Sequence, residues 1–280
     1  MKYFIKLLKT LLYPAVVLFV EFLVQYIFIF LFNHNEIDII KQSYPNFSQT
    51  QVINKLNKLI STKQYQMRLS NYLSDNILII VIITSIILIP LFILFYKKYR
   101  MKSQRISIWD IIFIILLGMS VSIIFNVIIF ELNSVWHFTN NYKISTASIF
   151  IQILSSGFIG PVLEELVFRG VVYNKLKEFN SYKRSIVLTS LFFALFHISN
   201  PLNVIYAFMM SFFFLYLYEK YKSLRYPILM HVSANSTVIL IMYIITKQIV
   251  WLNIILILVS LAVFIFIYIK MIRKDVYIHR

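Results

Sequence analysis

The chain has 280 residues, 60% of them hydrophobic and 14% charged, with a mean hydropathy of +0.80. Soluble domains are roughly 45–50% apolar, so water is excluded as the main solvent. The 27 Lys and Arg against 11 Asp and Glu give a net charge of +16, but they cluster in short segments between apolar runs, as loops beside anionic lipid do, and nucleic acid is not the expected partner. The absence of Cys excludes disulfides, thiolate catalysis and Cys-bound metals.

Eight apolar segments follow in chain order: 11–32, 77–96, 106–130, 147–173, 185–199, 202–218, 227–246 and 249–269. Most approach the roughly 20 residues that a helix needs to cross the hydrocarbon, and continuous runs select helices over a barrel. The expected fold class is therefore all-α, a polytopic transmembrane helix bundle of about eight spanning helices. The first segment follows Lys2, Lys6 and Lys9 and is too long for a signal peptide, so it is expected to be retained.

Residues 33–76 form a polar stretch read as a solvated loop, in which Val52, Leu56, Leu59 and Ile60 recur at helical spacing and predict one surface-lying amphipathic helix. The fifth segment covers only about 22 Å, and Asn200-Pro201 predicts a turn after it. Three regions result. They are 1–105 with two helices and the 33–76 loop, 106–246 with the next five apolar segments, and 247–280 with the last helix and a basic tail.

Alternating the segments across the membrane places 19 basic residues on one side and 7 on the other, with Arg169 inside. That bias puts both termini in the cytoplasm.

A charge at the bilayer centre costs about 2.5–3.5 kcal/mol on insertion scales, yet the fourth segment carries Glu164, Glu165 and Arg169 within six positions. Glu165 and Arg169 are four apart and share a helix face, so Glu165 has a counterion, while Glu164 points about 100° away. Glu164 thus has the setting of a general acid or base. His197, His231 and Asn235 lie in later apolar segments, the last two on one face. Counted from the basic ends of their segments, all four groups lie roughly 7–20 Å deep on the same side. Against this stand plainer roles: Glu165 with Arg169 as an interhelical staple, the histidines as packing hydrogen-bonders, Glu21 as a hydrogen-bonded helix contact or a transport residue, and Asp110 and Glu131 as interfacial groups.

Glu164-Glu165-x-x-x-Arg169, Phe193-x-x-x-His197 and His231-x-x-x-Asn235, in that order on successive apolar helices, closely resemble the CPBP family (CAAX proteases and bacteriocin-processing enzymes, also called Abi) and, within it, the type II CAAX prenyl endopeptidases. The resemblance implies a membrane endopeptidase whose core covers about 106–246, in which Glu164 and His197 activate water and His231 and Asn235 stabilise the oxyanion, with Glu165 and Arg169 in support. It implies a peptide or membrane-protein substrate within the lipid bilayer, and no cofactor on a glutamate mechanism. The metalloprotease label given to family members would make Glu164, His197 and His231 a zinc set, with Asn235 as a fourth donor. The Lys-, Ile- and Asn-rich composition suggests an AT-rich bacterial genome, for which a prenylated substrate is not expected. Competing readings are a non-proteolytic scaffold or bacteriocin self-immunity protein acting through 33–76, and an ion-coupled transporter using Glu21 and Glu164.

Overall fold

The computed structural model describes residues 1–104, 106–136, 148–198, 201–245 and 250–278, and among them it holds nine helices and no strand. They are α1 (Lys2–Ser43), α2 (Gln49–Ile60), α3 (Lys63–Lys97), α4 (Ile108–Trp136), α5 (Ile149–Lys177), α6 (Tyr182–Leu195), α7 (Pro201–Tyr221), α8 (Arg225–Ile245) and α9 (Val250–Ile278). Six of these, α1, α3, α4, α5, α7 and α9, are long and apolar enough to cross a membrane. The chain is thus a multi-pass helical membrane protein, and large apolar side chains such as Phe19, Phe30, Ile86, Leu94 and Leu258 stand exposed on its flanks, where lipid would solvate them. Of the other two segments expected to span, α6 has only 14 residues. The apolar run of α8 is broken by His231, Ser233, Asn235 and Ser236. The expected turn at Asn200 lies outside the described residues, as do Ala147 and Thr246 at segment ends.

Residues 33–76 are not a loop. Helix α1 continues to Ser43, α2 occupies the middle, and α3 begins at Lys63. Hydropathy falls beyond Phe32, but helical periodicity persists, since Phe32, Glu36 and Ile40 remain a buried stripe. Val52 and Leu56 of α2 pack on that stripe with Tyr65, so the amphipathic helix closes a small core of its own. Glu36, buried in the stripe, pairs with Arg68 at 2.8 Å. Ser48 and Gln51 form a reciprocal capping box at the start of α2.

The opposite end of the bundle gathers the basic segments. Tyr3 donates to Asn180 at 2.9 Å, Lys98 and Lys175 meet Glu178, and Lys177 and Lys222 meet Glu219. The sequence reading that put these segments on one side agrees with those contacts. Burial pushes the exposed-end Tyr99 hydroxyl up to about 12, together with its hydrogen bond to Glu178.

Helix α5 is the centre of the fold, packed by α1, α3, α6, α7 and α8. It is not uniformly α-helical. The turns Ile153–Ile159 and Leu166–Val172 are π-helical and bracket the α-helical Gly160–Glu165. Pro161 has no N–H for the Gly157 carbonyl and would crowd it in a regular helix, and the wider turn directly before it relieves that conflict.

The most extensive helix pairing is α4 with α8. It depends on Gly118, where an added Cβ would meet the Met230 carbonyl oxygen at 2.5 Å and the Ser233 hydroxyl. Ser122 adds a hydrogen bond to the Ala234 carbonyl at 2.9 Å. Gly118→Ala is therefore expected to push α8 outward and cost about 1–3 kcal/mol of stability, readable as a lower Tm in detergent.

Candidate active site

The two π turns do more than accommodate Pro161. In the first, the Gly160 N–H reaches back five residues to the Ser155 carbonyl, so the Ser156 carbonyl loses its α-helical donor. Asn235 of α8 takes it, donating from Nδ2 at 3.0 Å. In the second, the Tyr173 N–H bonds to Phe168, and the freed Arg169 carbonyl accepts from Asn174 Nδ2 at 2.9 Å. Buried carbonyls must be paired, so each π turn is matched by an asparagine. Asn235→Ala leaves the Ser156 carbonyl without its partner and is expected to cost about 1–3 kcal/mol, measured by thermal unfolding beside Asn235→Gln.

Between these turns stand Glu164 and Glu165. Glu165 is fully buried, and its Oε1 accepts from Arg169 at 3.0 Å and from His231 Nδ1 at 2.9 Å. Arg169, also fully buried, donates to the Ser211 hydroxyl of α7 at 2.8 Å. Its guanidinium packs into the corner of two edge-to-face rings, 4.4 Å from Phe193 and 4.9 Å from Phe214. Phe214 in turn stacks on His231 with ring centroids 4.4 Å apart. The ion pair expected from the i,i+4 spacing thus exists, and it continues into His231, a link that spacing alone did not reveal.

Glu164 faces the other way, as its helical position requires. Its Oε2 lies 3.7 Å from His197 Nε2 and 3.8 Å from His231 Nε2. His197 sits just past the end of α6, where its Nδ1 is 2.9 Å from the Phe193 carbonyl. A carbonyl only accepts, so Nδ1 carries the proton and Nε2 presents a lone pair toward Glu164. The carboxylate at Nδ1 of His231 orients that ring in the same sense. With both rings neutral, three acceptor atoms converge on one space, and Glu164 Oε2 has no hydrogen-bond partner among the described residues. Gaps of 3.7–3.8 Å are too long for direct hydrogen bonds and leave the three atoms to be joined through a water seated beside them. The Glu164 and His197 side chains are 22% and 34% exposed, while His231 is 5% exposed, so the first two form the accessible side.

The structure thus brings Glu164, Glu165, Arg169, His197 and His231 into one cluster. Asn235 is tied to α5 at Ser156, one helical turn beyond His231, and retains a second amide N–H. Two imidazoles and a carboxylate are donors that zinc accepts, although no group of three His, Cys, Asp or Glu among the described residues is arranged as a metal site.

Sequence reasoning missed Ser211, Asn174 and Phe214, and it named Phe193 only in the His197 motif, not as a neighbour of Arg169. It also left Glu21 unplaced. Thr10, Pro14, Val17 and Val24 are the buried face of α1, and Glu21 lies on that stripe. Lys6 lies over the Phe179 ring, and fifteen residues onward in α1 and fifteen back in α5 bring Glu21 level with Glu164. Glu131, expected at an interface, accepts from Asn253 of α9 at 2.7 Å. Asp110 caps α4 by exchanging hydrogen bonds with Ser107.

Fold and site together define a class, a multi-pass helical membrane protein in which two histidines from neighbouring helices meet the glutamates and arginine of its central helix. Residues 146–237 match the family described as type II CAAX prenyl endopeptidase, Rce1-like, and this stretch contains every residue of the cluster, in agreement with the resemblance read from the three motifs. Over 90 residues the chain is 29% identical to a Bacillus subtilis (strain 168) protein named "Putative membrane peptidase YdiL", covering 32% of this chain and 36% of that one. The chain thus matches about a third of that relative's length. No solved structure matches the chain.

Proposed function

We propose that the protein is an intramembrane endopeptidase that hydrolyses peptide bonds of membrane-associated peptides or proteins with a water activated by Glu164 and His197. The observation that carries this reading is the convergence of Glu164 Oε2, His197 Nε2 and His231 Nε2 on one space. A water there donates to two of these acceptors, and its lone pair is left for a substrate carbonyl. As the water attacks, its proton passes to Glu164, which returns it to the leaving amine. On substrate binding His231 takes a proton from solvent at Nε2, with the Glu165 carboxylate behind it at Nδ1, and donates it in a hydrogen bond to the developing oxyanion, which leaves Glu164 and His197 as the two acceptors of the water. The free N–H of Asn235 is the second donor.

A zinc bound by Glu164, His197 and His231 would instead polarise the carbonyl and acidify the water. The metal-free form is favoured because a Glu/His pair polarises water without a metal and the set has no HExxH pattern. The basic end of the bundle faces the cytoplasm on this reading, so the substrate is a peptide or membrane-protein terminus near that surface, such as a secreted peptide signal or bacteriocin precursor.

The test is cleavage of a peptide library by proteoliposomes. His197→Ala is expected to lower turnover about 10²-fold or more, while a chelator leaves the rate unchanged. Loss of cleavage with chelator and its recovery with added zinc would replace the glutamate mechanism by the metal one. The folded 32–65 core supports the scaffold or self-immunity reading, which predicts a phenotype that survives His197→Ala and is lost on deleting α2.

A further inference from the structure

On the basic end of the bundle, α3, the 98–103 segment and the start of α8 enclose a cavity of about 620 Å³ against the outer face of α5. Its wall is apolar, formed by Ile89, Ile93, Val162, Leu166 and Ile228. Ile93 is also exposed on the outer flank of α3, next to the exposed Leu94, so the cavity opens toward lipid. Its rim is cationic, formed by Lys97, Arg100, Lys102 and Arg225.

The rim cations differ from neighbours on the same end. Lys98 and Lys175 are taken by Glu178, and Lys177 and Lys222 by Glu219. Lys97, Arg100, Lys102 and Arg225 pair with no carboxylate among the described residues. The segment that carries Arg100 and Lys102 is held in place by backbone bonds, since Gln104 N–H donates to the Tyr221 carbonyl at 3.2 Å and the Tyr226 hydroxyl donates to the Gln104 carbonyl at 3.3 Å. From Ile89 to Lys97 the wall is about 12 Å deep, close to half of the roughly 30 Å hydrocarbon thickness.

We propose that this groove is a binding site for an anionic phospholipid, with the headgroup phosphate among Lys97, Arg100, Lys102 and Arg225 and one acyl chain along Ile89, Ile93, Val162 and Leu166. Basic pockets between membrane helices recognise headgroups in this way, and a zwitterionic lipid leaves the four cations uncompensated. Val162 and Leu166 bracket Glu164 and Glu165 on α5, and Ile228 precedes His231 by three residues. The tail therefore presses on the outer side of the turn that carries the two glutamates. Lipid binding does not rest on the peptidase reading, whereas any effect of the lipid on turnover does.

The test measures binding and is independent of catalysis. Full-length protein is purified in detergent with equal amounts of phosphatidylglycerol and phosphatidylcholine of the same acyl chains, and retained lipid is counted by native mass spectrometry. Phosphatidylglycerol should be retained at one per chain in preference to phosphatidylcholine, in wild type and in Glu164→Gln alike. Arg100→Gln, Lys102→Gln and Arg225→Gln should each lower that preference by about fivefold. Val162→Trp should abolish retention by filling the groove with its charges intact. Lys183→Gln with Arg184→Gln, which removes two cations elsewhere on the same end, should change nothing.

Equal retention of both lipids, or an equal loss in the Lys183 and Arg184 control, would overturn the proposal. So would displacement of the lipid by a free-acid peptide but not by its C-terminal amide, which would mark a peptide subsite.

Discussion

Glu164→Gln is expected to lower peptide-bond turnover by about 10²-fold or more while leaving substrate binding nearly unchanged. The substitution is close to isosteric, keeps the hydrogen-bonding capacity, and removes only the ability to take a proton. Glu164 is partly exposed and makes neither the Arg169 nor the Ser211 contact that anchors the buried pair, so folding should not suffer. Glu165→Gln separates the two carboxylates. It keeps an acceptor for Arg169 but loses the charge that holds a protonated His231, and on the proposed mechanism it weakens oxyanion stabilisation with no loss of the base. A fall in kcat in both variants, with KM moved in neither, is the expected kinetic pattern.

The second large effect concerns stability. Arg169→Ala leaves Glu165 charged and fully buried with only His231 beside it, and loss of one partner of a buried pair typically costs about 3–5 kcal/mol. The result should be a collapse of Tm in detergent, with poor expression as its cellular counterpart. Arg169→Lys should recover only part of this, because an ammonium cannot span Glu165 and Ser211 with the fixed fork of a guanidinium while also packing against the Phe193 and Phe214 rings. The pair is not an optimal staple, since Glu165 Oε2 and Arg169 Nε have no hydrogen-bond partner among the described residues. Well-packed apolar side chains often stabilise as well as a buried ion pair does. Its extension to His231 argues that the pair serves the geometry of the site.

Much of that site was legible because charge is conspicuous in an apolar segment. Glu164, Glu165 and Arg169 stand out in sequence by their insertion cost, and helical angles alone separate Glu164 from the ion pair. The link between Glu165 and His231 was not legible, since it joins residues 66 apart and depends on how α8 crosses α5. The π turns were hidden for a related reason. Each exists where an asparagine side chain collects the freed carbonyl, and in the case of Asn235 that side chain comes from another helix.

Ser211 and Phe214 in α7 read as ordinary membrane-helix residues until Arg169 is placed between them and Phe193. The 33–76 stretch misled for the opposite reason. Its polar residues lower the hydropathy, and the helical stripe of Phe32, Glu36 and Ile40 continues a membrane helix into what composition alone describes as loop. Glu21 shows the limit of segment-by-segment reading, because only the register between α1 and α5, fixed at Tyr3, Lys6, Phe179 and Asn180, brings it level with Glu164.

The central claim is that Glu164 activates water for direct attack on a peptide carbonyl. It is tested most directly by cleavage of a single defined membrane peptide in ¹⁸O-labelled water under single-turnover conditions, with mass analysis of the new carboxyl terminus. Wild-type protein is predicted to place one label in that carboxylate in one turnover, and Glu164→Gln to bind the same peptide with neither label nor cleavage appearing on the same timescale. Cleavage and labelling by Glu164→Gln at the wild-type rate would contradict the account.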